Sequence, residues 1–393
     1  MNSAIRVAHI VENLTQGGIK RVVITLSEQM IELGVETHIL LLNDRIEFSI
    51  DPKIILQTIP ITGLSRKSRI SKWTRKAGRA LLGTRRYWHF ASPWFCQQLQ
   101  HQIARHQFTC LYFHGLPVCW PFHRWHQSNS LFVLHNTKSA QLQTDSVRET
   151  RWNYAAFANA IAGKRLIAVS DKVRKDTIRT FHIAPSTITT VYNPFDLALI
   201  RRLAQQPPQE MQPIFREGYF LFVGRLVKQK RIDILLQAYQ QANIPEHLLI
   251  LGRGEQQTQL TLLARKLGIA ASVHFLGFQS NPYPYMRHAK ALVLPSEYEG
   301  FGNVIIEALT CGTQVISTRT GGAEEILIGP LAKGLVAPGN VEQLVEKLRK
   351  ASQGALHCAD VETMLSRFDK SVVTTTYLDL IKSTDCAVQL RTT

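Results

Sequence analysis

The sequence predicts an α/β protein built from two Rossmann-like β/α/β domains, and three observations carry that prediction. An apolar run, Arg6–Val11, is followed by a glycine pair, a stretch at helical spacing and a second apolar run. That order is the β-α-β unit of a doubly wound parallel sheet. The same series starts afresh at Tyr219. In between, residues 196–218 weaken into LIRRLAQQPPQEMQPIFREG, with Pro207, Pro208 and Pro213, which reads as an interdomain linker.

In the first half, Ile19, Val22, Val23, Leu26, Met30 and Leu33 share one helical face, and Gly34 marks its stop. The returning strand is expected at 37–42. Gly17-Gly18, just before the helix, either admits a ligand close to the backbone or simply makes the turn. Further strands are expected at 110–113, 131–134 and 166–169. The last two end in polar tips, His135-Asn136 and Ser170-Asp171, at the strand ends that line the crevice of an open parallel sheet. A histidine there is either structural or catalytic.

In the second half, strands are expected at Tyr219–Val223, 248–251, 273–276, Ala291–Leu294 and 314–317, and Ile232, Leu235, Leu236 and Tyr239 form a helical face. A basic loop, from Gly224 and Arg225 to Lys228 and Lys230, follows the first of these strands. After the fourth comes SEYEGFGNVIIEAL, residues 296–309, with Glu299 and Glu307 eight apart. On one continuous helix those carboxylates would stand about 80° apart. Gly300-Phe301-Gly302 instead reads as a loop, with Asn303 as N-cap and Val304, Ile305, Ala308 and Leu309 as the packed face. Glu299 then lies in the loop and Glu307 on the second turn. The amides of such a junction attract phosphate, two nearby cations suit a diphosphate, and the carboxylates suit sugar hydroxyls. Solvated glutamates beside a surface basic loop are the bland alternative.

A chain of 393 residues holds two or three domains, and its 45% apolar content fits a globular protein. No run approaches the ~18 to 20 apolar residues of a bilayer span, and MNSAIRVAHIVENL lacks the pattern of a signal peptide. Cys96, Cys110, Cys119, Cys311, Cys358 and Cys386 show neither disulfide nor zinc spacing, so free thiols in a reducing compartment are expected. The net charge of +17 is uneven: between Asp51 and Asp145 there are thirteen Lys and Arg and no acid. Residues 66–86 carry nine of them. There Ile70, Trp73, Ala77 and Leu81 fall on one side of a helix, with Arg69, Lys72, Lys76 and Arg79 on the other, and Arg75 adds to the charge. Tyr87, Trp88, Phe90, Trp94 and Phe95 follow. This pattern suits a basic amphipathic helix on an anionic membrane with aromatics at headgroup level. A nucleic-acid surface and a solvated basic face are the competing readings.

Taken in order, GGIKR, HN after a central strand, VGRLVKQKR, NPYPYM, and EYEGFGNVIIEA followed by CGTQVISTRTGGAEEIL resemble the retaining glycosyltransferases of family 4. The resemblance covers most of the chain and is weakest from about 45 to 130. It implies the GT-B fold, two Rossmann-like domains facing a central cleft. The expected division is 1–195 as the acceptor-binding, membrane-facing domain, 196–370 as the nucleotide-sugar-binding domain, and 371–393 as a helical segment packing back toward the first. It also implies roles. Glu299 would contact the donor sugar, Glu307 the ribose, and the amides of Phe301, Gly302 and Asn303 the sugar or diphosphate. Arg225 and Lys230, beside Gly224, would stabilise the leaving phosphate. Gly17 and Gly18 would close over the diphosphate, and His135 would lie near the sugar.

No Asp-x-Asp motif occurs, so no metal or other cofactor is expected, and no carboxylate stands out as a covalent nucleophile in the first domain, which suits front-face retention. The expected partners are a nucleotide sugar, with UDP-hexose or UDP-N-acetylhexosamine favoured over GDP-mannose, a lipid-linked or lipopolysaccharide acceptor, and an anionic membrane met through Arg69, Lys72, Trp73, Arg75, Lys76 and Arg79. That makes a peripheral enzyme on the cytoplasmic face of the membrane, with no nucleic acid as partner. A nucleic-acid-binding or scaffold protein on a dead transferase fold is the alternative of another class.

Overall fold

A computed structural model describes residues 5–15, 17–59, 91–143, 147–208, 218–355 and 361–389. The basic segment with Arg69, Lys72, Trp73, Arg75, Lys76 and Arg79 lies outside the described residues. The chain forms two compact units. One runs to Val169, continues from Val173 to Pro194, and takes back the chain from Lys370. The other holds Ser170–Lys172 and Phe195–Asp369.

The first unit is a seven-stranded parallel sheet in the order β3-β2-β1-β4-β5-β6-β7. Its strands are β1 (Arg6–Val11), β2 (Glu36–Leu41), β3 (Ile55–Thr58), β4 (Cys110–His114), β5 (Ser130–Leu134), β6 (Arg165–Ala168) and β7 (Ile188–Thr190). The central strands are buried on both faces, which is why they read as near-continuous apolar runs. The helix Gly18–Glu32 buries Val22, Val23, Leu26 and Met30, at the spacing expected of an apolar stripe. The last helix, Lys370–Gln389, packs on it, with Lys370 3.1 Å from Glu32 and the Tyr112 hydroxyl donating to the Tyr377 carbonyl at 2.9 Å.

The second unit is a six-stranded parallel sheet in the order β10-β9-β8-β11-β12-β13. Its strands are β8 (Tyr219–Val223), β9 (His247–Leu251), β10 (Val273–Gly277), β11 (Ala291–Leu294), β12 (Gln314–Thr318) and β13 (Leu335–Val336). Ile232, Leu235, Leu236 and Tyr239 are buried on the helix Ile232–Ala242, which packs against Val341–Ser352.

Two expectations are corrected. The linker does not start at 196: Asp196 accepts a bond from the Leu199 amide and caps a helix, Leu197–Ala204, whose Leu197, Ile200 and Ala204 are buried in the second unit. Two arginines interrupt that apolar pattern, and they hid the helix. Phe95 is not a headgroup aromatic: it is 1% exposed and meets Phe122 edge-on, inside the first unit. Among the described residues Cys96, Cys110, Cys119 and Cys311 are not in disulfides.

Candidate functional site

In the second unit β8 and β11 are neighbours, with β9 and β10 beyond one and β12 and β13 beyond the other. Strand order reverses between them, the place where doubly wound sheets take ligands. The loops leaving their carboxyl ends are tied together. The Gln229 side chain donates to the Tyr298 carbonyl at 2.7 Å, and the Glu297 amide donates to the Gln229 carbonyl at 2.9 Å. The Lys230 ammonium donates to Glu299 Oε1, which also accepts from Ser296 Oγ at 2.6 Å. The side chains of this pair are only 15% and 11% exposed. An ammonium carries three donors, and the bond to Glu299 uses one. Arg225 stands exposed on the same loop. The Tyr298 phenol is pushed up by burial first and by Glu297 and Glu299 next, while Arg225 pulls it down.

Glu299 lies in the loop, as expected, but the cap differs: Gly302, at φ 91°, is the N-cap of the helix Asn303–Thr310, and Asn303 is its first residue. A left-handed cap suits glycine, which has no Cβ to strain. With no side-chain cap, the first turn presents backbone N–H groups and the positive end of the helix dipole. Phe301 is buried against Phe368 and Phe195, at ring distances of 5.5 and 6.2 Å, so its ring anchors the loop. Gly224 follows β8 at the start of the basic loop. Glu307, on the second turn, is half-buried, and after burial it is the next cause that pushes the Cys311 thiol up to about 12.

Sequence reasoning gave no role to Ser296, Gln229 or the pair Gly321-Gly322. A Cβ on Gly321 would stand 2.5 Å from the Glu299 carbonyl oxygen, and one on Gly322 would stand 2.6 Å from that of Phe301. The glycine dipeptide after β12 is the signal that could have found this contact.

In the first unit Gly17 caps the Gly18–Glu32 helix at φ 140°, and both glycines are exposed. His135 follows β5. It does not stand alone: His9 Nδ1 meets His114 Nε2 at 3.0 Å, and His114 Nδ1 meets His135 Nε2 at 3.0 Å. His9 lies within β1 and His114 ends β4, so three adjacent strands carry the chain. His9 also stacks on Tyr112, with ring centroids 5.2 Å apart. Burial lowers all three: His9 and His135 to about 3, His114 well below its ordinary value, with the charge of Lys20 adding to the effect at His114 and His135. The turn after His135 is fixed by the Asp176 carboxylate, which accepts the Lys138 and Ser139 amides at 2.9 and 3.1 Å.

The structure thus brings Gly224, Arg225, Lys230, Glu299, Phe301, Gly302, Asn303 and Glu307 to one sheet edge of the second unit. It places Gly17, Gly18 and His135 on the first. Among the described residues no group of three or more His, Cys, Asp or Glu could hold a metal ion.

Comparison with known proteins places this arrangement. The family described as Glycosyltransferase Family 4 matches residues 16–199, and Glycosyl transferases group 1 matches residues 210–363. The chain belongs to the glycosyltransferases of the family 4 type, with the GT-B fold. It is 29% identical to the N-acetylgalactosamine-N,N'-diacetylbacillosaminyl-diphospho-undecaprenol 4-alpha-N-acetylgalactosaminyltransferase of Campylobacter jejuni, over 58% of this chain and 64% of that one. It is 31% identical to the lipopolysaccharide core biosynthesis glycosyltransferase LpsE of Rhizobium meliloti, over 41% of this chain and 48% of that one. The chain therefore spans less than two thirds of either relative. Among solved structures, Anabaena Alr3699/HepE in complex with UDP and glucose superposes with a TM-score of 0.70 at 17% identity, covering 96% of this chain and 100% of that one.

Proposed function

We propose that the chain is a retaining, metal-independent glycosyltransferase. It moves a hexose or N-acetylhexosamine from a nucleotide sugar, UDP-linked by preference, to a lipid-linked saccharide or a lipopolysaccharide or polysaccharide precursor. It works as a peripheral protein on the cytoplasmic face of an anionic membrane. The observation that carries this reading is the Lys230–Glu299–Ser296 cluster joining the loops after β8 and β11.

In this mechanism the bond from the sugar's anomeric carbon to the β-phosphate oxygen breaks while an acceptor hydroxyl bonds the same carbon from the same face. The departing phosphate takes the hydroxyl proton. Arg225 and Lys230 stabilise the charge that grows on that phosphate, in the place a divalent cation would otherwise take. Glu299 holds sugar hydroxyls beside the reacting carbon, and Glu307 holds the ribose. The amides of Phe301, Gly302 and Asn303 bind the sugar or diphosphate, Gly17 and Gly18 bind the diphosphate, and His135 donates to the sugar or leaving group. The names of the Campylobacter and Rhizobium relatives, one for a diphospho-undecaprenol-linked sugar and one for lipopolysaccharide core, support the acceptor class. UDP and glucose in the Anabaena structure support the donor class.

Calorimetric titration with UDP and with GDP, in EDTA, beside Arg225→Ala, tests this reading. UDP binding that the variant loses is the expected result. Binding of GDP alone moves the donor to GDP-mannose, and binding of neither rejects the transferase. Retention is read from the anomeric configuration of the product.

A further inference from the structure

We infer that His9 and His114 are positioning residues that fix His135 in the Nδ1–H tautomer, so that His135 serves as a hydrogen-bond donor to an oxygen of the bound nucleotide sugar and not as a base. The inference rests on the donor-site reading above. Its physical basis is the proton count of three imidazoles in series.

Each neutral imidazole has one N–H and one lone pair. Two contacts of 3.0 Å link the three rings, and each needs one N–H and one lone pair. Only two arrangements satisfy both. In one, every ring is protonated on Nδ1: His9 donates to His114, His114 donates to His135, and the N–H left over is Nδ1–H of His135. In the other, every ring is protonated on Nε2, both bonds reverse, and the N–H left over is Nε2–H of His9. Any mixed arrangement sets two lone pairs or two protons against each other.

The two leftover atoms, His9 Nε2 and His135 Nδ1, are both buried, and neither has a hydrogen-bond partner among the described residues. They differ in where they lie. His9 is 0% exposed, within β1 and stacked on Tyr112. His135 is only partly buried, at the end of β5. A buried N–H without an acceptor is costlier than an idle lone pair. Either arrangement leaves one buried N–H without a partner in the unliganded protein, but only the one on the partly exposed His135 ring can be completed by a ligand oxygen, so the leftover donor settles there. Lys20 and Lys138 lie close enough to His135 to disfavour a positive ring, and they draw an anionic or oxygen-rich ligand to the same place. Free histidine prefers Nε2–H, so three Nδ1–H rings in a row are a distinctive signature of the chain.

The test is nitrogen NMR of protein labelled with 15N-histidine, with His135→Phe to assign the ring. The expected result is a protonated Nδ1 and a bare Nε2 on His135, with the Nδ1–H resonance moving when UDP-glucose is added. Protonation on Nε2 in the wild type, or an Nδ1–H resonance unmoved by a donor that binds, overturns the inference. His114→Phe should return His135 to Nε2–H and lower kcat about tenfold with KM changed less than about twofold, while His114→Gln, whose amide can accept from His9 and donate to His135, should recover most of the rate. If His114→Phe does not fold, the glutamine variant and the wild-type tautomer still decide. In a His135→Phe background, His114→Phe should cost nothing further. An equal loss there would assign His114 a role in the fold alone. A wild type that binds no nucleotide sugar but shows the Nδ1–H signature would sink the transferase reading and leave the tautomer assignment standing.

Discussion

At the scale of single residues, burial decides what the charged and titratable groups of the site can be. Lys230 and Glu299 are the two most enclosed charges of the donor loops, and each is tolerated there because the other is present. The three linked histidines have no counter-charge, and the protein holds them neutral. That leaves a mark on stability. The folded state refuses protons that the unfolded chain accepts near pH 6.5, since burial takes His9 and His135 down to about 3 and lowers His114 as well. Their contribution is complete above the unfolded value and shrinks as pH falls from 6.5 toward 3, by up to about 1.4 kcal/mol per pH unit for each ring. Urea unfolding of the wild type between pH 4 and 7 should show this acid slope, and His9→Phe should reduce it by one histidine's share. A slope identical in the two proteins would mean that His9 is protonated in the fold.

At the scale of elements, the site is made by loops that close on one another, and the tightest closure is at Gly321-Gly322 under the Glu299–Phe301 backbone. Gly321→Ala brings a methyl against a main-chain carbonyl, which cannot swing aside as a side chain would, so the Glu299 loop must move. We expect sugar-nucleotide affinity to fall at least tenfold, in the range of a strained contact of ~1–3 kcal/mol, with the melting temperature lowered by only a few degrees. Unchanged affinity in calorimetry would show that the loop accommodates the methyl without moving Glu299. This contact also shows what a sequence conceals. The strands flanking both switch points, β1, β4, β8 and β11, were legible because burial on both faces makes them apolar but for Arg6, His9 and His114. The edge strands β3 and β7 and the two-residue β13 were not, being short or only partly buried, with no sustained pattern. Glu299, Arg225 and Lys230 stood out because charges beside glycines at a strand end are unusual. His9 and His114 did not, because a histidine inside a strand looks the same whether it packs alone or bonds a ring on the next strand. Only the register that sets His9 opposite Tyr112 reveals the partner.

At the scale of the whole molecule, the two parallel sheets account for the fold but not for the charge. The excess lies in one stretch, residues 52–144, which carries thirteen basic residues and no acid against a net charge of +17 for the chain. A fold does not need such an asymmetry, and a charge field of this kind attracts a partner of opposite sign, which is how the proposed membrane role uses it. Among the described residues no helix is long and apolar enough to cross a membrane, and a surface association through 66–86 needs none. Each basic side chain near an anionic leaflet contributes about 1 kcal/mol, and the attraction fades within a Debye length of about 8 Å at physiological salt. Replacing Arg69, Lys72, Arg75 and Lys76 together by glutamine therefore removes ~4 kcal/mol, close to a thousandfold in partitioning. The variant should stay in the supernatant when wild type sediments with phosphatidylserine vesicles, rising salt should release wild type in the same way, and both proteins should bind UDP equally. Sedimentation that is unchanged by the four substitutions would remove the membrane from the function. Salt-sensitive retention of the wild type on RNA or duplex DNA, with no nucleotide-sugar binding, would transfer the same charge to a nucleic acid and leave the transferase fold as a scaffold.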